Sequence, residues 1–464
     1  MLMVRDKGFY KSLLMIALPA AFQSLISFGV NMTDTVMVGS LGEEALSAVS
    51  LGNQVSVFMM MFIKGISAGT AVMISQYWGK KDMARIKNIF AIGFQASLGI
   101  ALLFFIGSFF FPKNLMAVLT DNRVLIDRAP DYLSAVAFSY LLYAITENLI
   151  VMLRNVEIVR ISLVISCCSF LINLLGDYAL IFGKLGFPAL GIRGAAWATV
   201  FARACELLVV VVYLVFFDHR LHLKPMDLLR GKKEMWIDYI KYGVPMMAAD
   251  VLWGMVNTGK QMIMGRLGTD AVAANSIADV VLQLAMMFVT GLASASGVLV
   301  GKSVGAKRYD LTHQYAKTIQ VLFFFLGIGA ALLTYGIRDF AISFYNVSNP
   351  VKELAREYLL YGALTIWGTG YAAGCFQGIN RGAGDVNFVL KVNLVCGWII
   401  VIPLCALGAF VWHVPAPIVF FFTRIDQILK VFIAFFRLRS GRWIRNVTRE
   451  SPGENRDHLA SGKT

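Results

Sequence analysis

The stretch NMTDTVMVGSLGEEALSAVS, residues 31–50, returns as NTGKQMIMGRLGTDAVAANS at residues 257–276. Asn31, Gly39, Leu41, Gly42, Ala45, Ala48 and Ser50 meet Asn257, Gly265, Leu267, Gly268, Ala271, Ala274 and Ser276 without a gap. The same offset of 226 residues aligns 19–81 with 245–307 and pairs Pro19 with Pro245, Gly65 with Gly291, Gly79 with Gly305 and Lys81 with Lys307. Shared apolar composition produces some matches by chance. It does not hold a proline, a Leu-Gly turn and a Gly-Lys loop in one register. The chain is therefore a duplicated structure of two related halves.

Composition says what the halves are. Hydrophobic residues make up 58% of the 464, charged residues only 15%, and the mean hydropathy is +0.68. Uncharged runs such as 13–32, 89–111, 161–176 and 321–337 carry no alternation of the kind a barrel strand needs. About 20 apolar residues of helix cross a hydrocarbon core. Breaks at Gly, Pro and charge clusters predict twelve spans, near 12–38, 45–77, 89–112, 132–153, 161–182, 194–217, 236–264, 272–300, 318–345, 357–380, 388–411 and 415–436. Spans 7 and 12 carry the most polar content. The repeat offset covers six spans, an even number, so both halves have the same orientation: a parallel repeat, as in transporters that switch access by rocking one bundle against another. The expected fold is an all-α polytopic membrane protein of two six-helix lobes: an N-lobe over 1–217, a linker over 218–235, a C-lobe over 236–437 and a basic tail over 438–464.

A net charge of +14 raises the question of nucleic acid. Of the 42 Lys and Arg residues, 28 lie in alternate loops and the tails, 9 in the opposite loops and 5 within spans. That is the asymmetry which marks a cytoplasmic face, so both termini are expected inside. No single basic patch forms for nucleic acid. The tail arginines (Arg437, Arg439, Arg442, Arg445, Arg449) suit anionic lipid better. The six cysteines fall in apolar segments and read as small hydrophobes. The five histidines sit in loops or tails and support neither a proton relay nor a metal cluster. The short basic start before a first stretch long enough to span reads as no cleavable signal. No set of residues is placed for enzymatic chemistry, and no filter-like loop suggests a channel.

Ionisable residues inside the bilayer cost roughly 2.5–3.5 kcal/mol each on insertion scales and are functional candidates by default. Asp34 lies late in span 1. Asp177 lies in span 5 with Asn173 four residues earlier on the same face, and Thr199 is in span 6. If those spans pack together, carboxylate, amide and hydroxyl oxygens surround one point, a hard ligand set suited to Na⁺; the carboxylates could take a proton instead. The bland alternatives are a turn cap near the outer surface for Asp34 and a helix-end residue for Asp177. The duplication acts as a control. Asp34 meets Lys260, and Asn173 to Asp177 resembles Asn393 to Gly397, which keeps the Asn and loses the acid. Scaffold is repeated while the acids are not, so the cation site is expected in the N-lobe. Asp250 and Lys260 in span 7 either pair with each other or face a central cavity, where Lys64 and Glu147 are further candidates for substrate contact. Arg203 with Glu206, and Asp426 with Lys430, read as structural ion pairs. Pro19 breaks the hydrogen-bond ladder within span 1 and is a candidate hinge.

In order along the chain, Ala17-Leu18-Pro19, Asp34 to Gly39, Ser75 to Lys80, Asn173 to Asp177, Gly194 to Thr199, Arg381 to Asp385 and Arg437 to Trp443 resemble the multidrug and toxic compound extrusion (MATE) family over roughly residues 10–445. The resemblance implies two six-helix lobes exchanging Na⁺ or H⁺ for organic, often cationic compounds. It also implies that Asp34, Asp177, Asn173 and, across a loop of different length, Thr199 match the cation ligands of one branch, and that Pro19 matches the proline about which the first helix bends. A second branch uses acids in spans 7 and 10, where this chain has Trp253 and Gly370; Asp250 lies one turn from the first. The expectation is a monomeric secondary antiporter of small organic substrates in the plasma membrane. It needs no cofactor beyond the coupling ion. A lipid-linked precursor flippase of the same superfamily is the alternative, and it would call for extra helices for which the chain has no residues left.

Overall fold

A computed structural model describes residues 3–218, 220–229 and 231–449; the end of the basic tail, 450–464, lies outside the described residues. The architecture is all helix, in twelve spans. The first six are Lys7–Gly39, Glu43–Lys80, Met83–Phe110, Arg123–Asn155, Arg160–Phe182 and Ile192–Phe216. Spans 7 to 9 are Lys233–Gly265, Thr269–Gly305 and Tyr309–Ser343. Span 10, Asn349–Ala372, continues as a π-helix, Ala373–Asn380. Span 11 runs Val386–Asn393, a second π-helix Leu394–Val401, then Ile402–Phe410, and span 12 is Ala416–Phe422 followed by Ile425–Arg439. Nine helices among the described residues are long and apolar enough to cross a membrane by themselves. The others, spans 7, 10 and 12, are all in the C-lobe.

Span 12 departs from the single helix predicted. Thr423 donates to the Phe420 carbonyl at 2.6 Å and the helix restarts at Ile425. Broken backbone at membrane depth is tolerated where it lines a cavity, and this break delivers Arg424 into one. The described part of the linker is also more than a loop. It contains a 3₁₀ turn, Pro225–Leu229, held to span 3 by Lys87 Nζ to Asp227 at 3.0 Å and Gln95 Nε2 to the Leu228 carbonyl at 2.9 Å.

The repeat shapes the contact between the lobes. A Cβ on Gly79 would lie 2.0 Å from the Lys302 carbonyl oxygen, and one on Gly305 would lie 1.8 Å from that of Gln76. Adding 226 to Gln76 and Gly79 gives Lys302 and Gly305, so the repeat exchanges one contact for the other. Deeper in, Gly65 presses on Met247, and its counterpart Gly291 presses on Ala21. Each half offers the other the same patch, as in a two-fold interface. Even backbone strain is copied: Lys81 and Lys307 both end their helices in the left-handed region, at φ of 61° and 58°.

At this basic end the tail also engages both lobes, where the sequence suggested lipid. Val447 N donates to Gln76 Oε1 at 2.8 Å, Arg445 N to the Ala383 carbonyl at 2.8 Å, and Arg449 pairs with Asp238 and Glu234 of span 7. Arg437 and Arg445 both reach the fully buried carboxylate of Asp385, at 2.7 and 3.1 Å. Three of the tail's arginines thus face carboxylates of the protein. Replacing Asp385 by Asn leaves two guanidiniums facing a neutral group. Because both reach solvent in part, the expected loss is about 2 kcal/mol, below the full cost of breaking a buried pair, read as a lower melting midpoint in detergent.

Candidate functional site

Span 1 packs along span 5, and span 5 along span 6. Gly176 brings the last pair close: a Cβ there would sit 3.0 Å from that of Ala198. The residues that follow these two in sequence are Asp177 and Thr199. Asp177 is 1% exposed, and Asn173, one turn away on the same face, is 3% exposed; Asp34 is half-buried. The Asp34 and Asp177 carboxyl groups lie against each other, with Tyr132 and Arg203 as neighbours. Asp34 Oδ1 and both oxygens of Asp177 are buried with no hydrogen-bond donor. Arg203 does not supply one: it grips Glu206 at 2.8 Å and lies 5.1 Å from the centre of the Tyr143 ring. Thr199 gives its proton to the Ala195 carbonyl at 3.1 Å, which leaves its oxygen free to accept.

Two unit charges about 4 Å apart repel by roughly 4 kcal/mol at an effective dielectric near 20. An enclosed carboxylate without a donor, set against a second one, is therefore unsatisfied until one positive charge arrives. Among the described residues no cluster of three or more His, Cys, Asp and Glu side chains stands ready for a metal. Two acids, an amide and a hydroxyl suit a small hard cation or a proton.

A second polar region lies between the lobes, a cavity of about 360 Å³. Lys64, Glu147 and Asp250 line it, together with Arg154, Gln377 and Arg381. Asp250 is held by Arg381, whose Nη1 donates to Oδ2 at 3.3 Å, and Arg154 donates to Gln23 at 2.8 Å. Arg154 and Arg381 each fall one residue beyond the spans the sequence predicts, 132–153 and 357–380. Their spacing, seven residues after Glu147 and four after Gln377, is the helical periodicity that places each on the cavity face.

Lys260 is a correction. It neither pairs with Asp250 nor lines the central cavity. Ten residues of helix separate the two by about 15 Å and turn them to different sides. Lys260 faces a cavity of about 440 Å³ inside the C-lobe, with its nitrogen 3.8 Å from Asp426. The Asp426–Lys430 and Arg203–Glu206 pairs form at 2.9 and 2.8 Å. Pro19 sits inside a helix that runs unbroken from Lys7 to Gly39.

The MatE family model matches residues 19–179 and 245–407, one match for each half of the repeat. The chain is 27% identical over 406 residues to a probable multidrug resistance protein NorM from Halalkalibacterium halodurans, covering 86% of this chain and 87% of that protein. It is likewise 27% identical over 406 residues to one from Bacillus cereus, covering 85% and 87%. Among solved structures it resembles a Vibrio cholerae MATE transporter with a TM-score of 0.84 at 16% identity, over 95% of this chain and 98% of that one. A MOP superfamily transporter from Pyrococcus furiosus gives 0.82 at 16% identity, over 94% and 99%. At such identities the structures speak for the fold alone. With a family model on both halves and a lobe-to-lobe contact built from the same repeat, the chain belongs to the MatE family of membrane transporters.

Proposed function

We propose that this protein is a secondary antiporter that exports organic, often cationic and amphiphilic compounds in exchange for H⁺ or Na⁺. The observation that carries the reading is the pairing of the enclosed Asp177 carboxyl, both oxygens of which lack a donor, with Asp34, whose Oδ1 is buried and lacks one too. The names of the relatives support multidrug efflux as the cargo class. The basic end is read as cytoplasmic and the membrane as the plasma membrane, so a molecule closed at that end faces outward. A proton or Na⁺ enters from outside, neutralises or ligates the acid pair, and is helped by Asn173 and Thr199. Span 1 then repacks about Pro19 and the space for substrate shrinks. A membrane potential contributes ~2.3 kcal/mol per charge per 100 mV.

Cells expressing the protein are expected to accumulate less cationic dye than controls, with the difference erased by an uncoupler. Equal accumulation in both would remove the exporter reading. On purified protein, isotopic sodium binding against proton release identifies the coupling ion. Sodium retained with no proton released means Na⁺, and the reverse means H⁺.

A further inference from the structure

The cavity inside the C-lobe stands where the repeat would put a copy of the acid pair, and its charge is of the opposite sign. Lys260 occupies the position of Asp34, and the stretch Asn393 to Gly397, which resembles Asn173 to Asp177, ends without the acid. Lys260, Arg424 and Asp279 line the cavity and the Asp426–Lys430 pair stands behind Lys260, three bases against two acids. The acids are already in use. Asp426 Oδ2 accepts from Lys430 at 2.9 Å and from Gln427 at 2.8 Å, and Asp279 accepts from Asn275 at 2.9 Å and from Arg424 at 3.4 Å. Among the described residues Lys260 makes no hydrogen bond and has the distant 3.8 Å approach to Asp426, while Arg424 Nε is buried without an acceptor. One positive charge is left over at membrane depth, where an unneutralised ion is costly.

The remaining walls supply side-chain donors and an apolar surface. Asn257, Gln261 and Thr369 face the space, with Trp253 and Phe420 beside them. We infer that the C-lobe cavity binds a monoanionic group on Lys260 and Arg424, either a halide or the carboxylate of an organic molecule whose body rests on Trp253 and Phe420. The N-lobe then neutralises its site with a cation and the C-lobe with an anion, each lobe using its own version of one duplicated pocket. The C-lobe site stands independently of the transport reading.

The test is the thermal midpoint of the purified full-length protein in detergent, titrated with sodium chloride or sodium benzoate while sodium sulfate holds the sodium concentration constant. A ligand bound only by the folded state raises the midpoint saturably. The wild type is expected to show that rise. Lys260→Gln and Arg424→Gln each weaken it about 10- to 100-fold in half-saturating concentration, the scale of one lost charged hydrogen bond, and Lys260→Arg keeps it. Protection at lower benzoate than chloride concentration assigns the organic carboxylate; protection by chloride alone assigns the halide. No saturable rise for either anion, or an undiminished one in Lys260→Gln, overturns the site. If Lys260→Gln does not fold, Arg424→Gln carries the same comparison. Asp177→Asn is expected to keep the anion effect, and its loss there would move the site out of the C-lobe.

Discussion

Vesicles containing the Asp177→Asn protein are expected to show no cation-driven efflux above that of protein-free vesicles, although the protein is at least as stable as the wild type. Asp177 is almost fully enclosed and neither of its oxygens has a donor. An Asn at this position brings an NH₂ of nearly the same shape. It can donate to the orphaned oxygen of Asp34 and removes one of two like charges. The change therefore does permanently what the arriving cation does reversibly. A buried unsatisfied group costs about 1–3 kcal/mol, so the melting midpoint should hold or rise. Transport, which requires the pair to alternate between its two states, should stop. Asp34→Asn acts in the same direction with a smaller gain in stability, since Asp34 is only half-buried. A destabilised but inactive protein would point to a structural role. Undiminished efflux would remove the N-lobe cation site altogether.

The lobes were legible because duplication leaves a register that random apolar matches cannot imitate, and because charged residues are rare enough here to be conspicuous. Asp34 and Asp177 stood out for that reason, and the structure places them side by side. Three things were hidden. The break in span 12 at Thr423–Arg424 has no proline or glycine to announce it. The π-helices Ala373–Asn380 and Leu394–Val401 are packing accommodations: a Cβ on Gly374 would lie 2.3 Å from the Phe323 ring, a tertiary fact that local sequence does not hold. The third is the partner of each charge in span 7, since ten residues of helix keep Asp250 and Lys260 about 15 Å apart. Asp250 finds Arg381 of span 10 and Lys260 finds Asp426 of span 12. Partner choice among scattered charges depends on which helices adjoin, and a hydropathy reading leaves that order open.

Gly305→Ala is expected to hold the basic end open. Each lobe meets the other there through a glycine set against a backbone carbonyl, Gly79 on Lys302 and Gly305 on Gln76. A methyl group 1.8 Å from a carbonyl oxygen overlaps an atom that cannot rotate away. The helices must separate, at a cost toward the upper end of about 1–3 kcal/mol, which shifts a two-state equilibrium some 5- to 150-fold. The cost falls on the conformation closed at this end and not on one in which spans 2 and 8 have parted. Fold stability within each lobe is untouched, because neither carbonyl belongs to the glycine's own lobe. Spin labels at Lys81 and Lys307, the repeat-related helix ends, would report the change as a longer inter-label distance, and Gly79→Ala should reproduce it by symmetry. The double variant should not add a second full penalty, since the first separation already removes the second clash. An unchanged distance distribution in Gly305→Ala would mean that the crossing of spans 2 and 8 does not limit closure, and that the tail contacts of Val447 and Arg449 hold the lobes together by themselves.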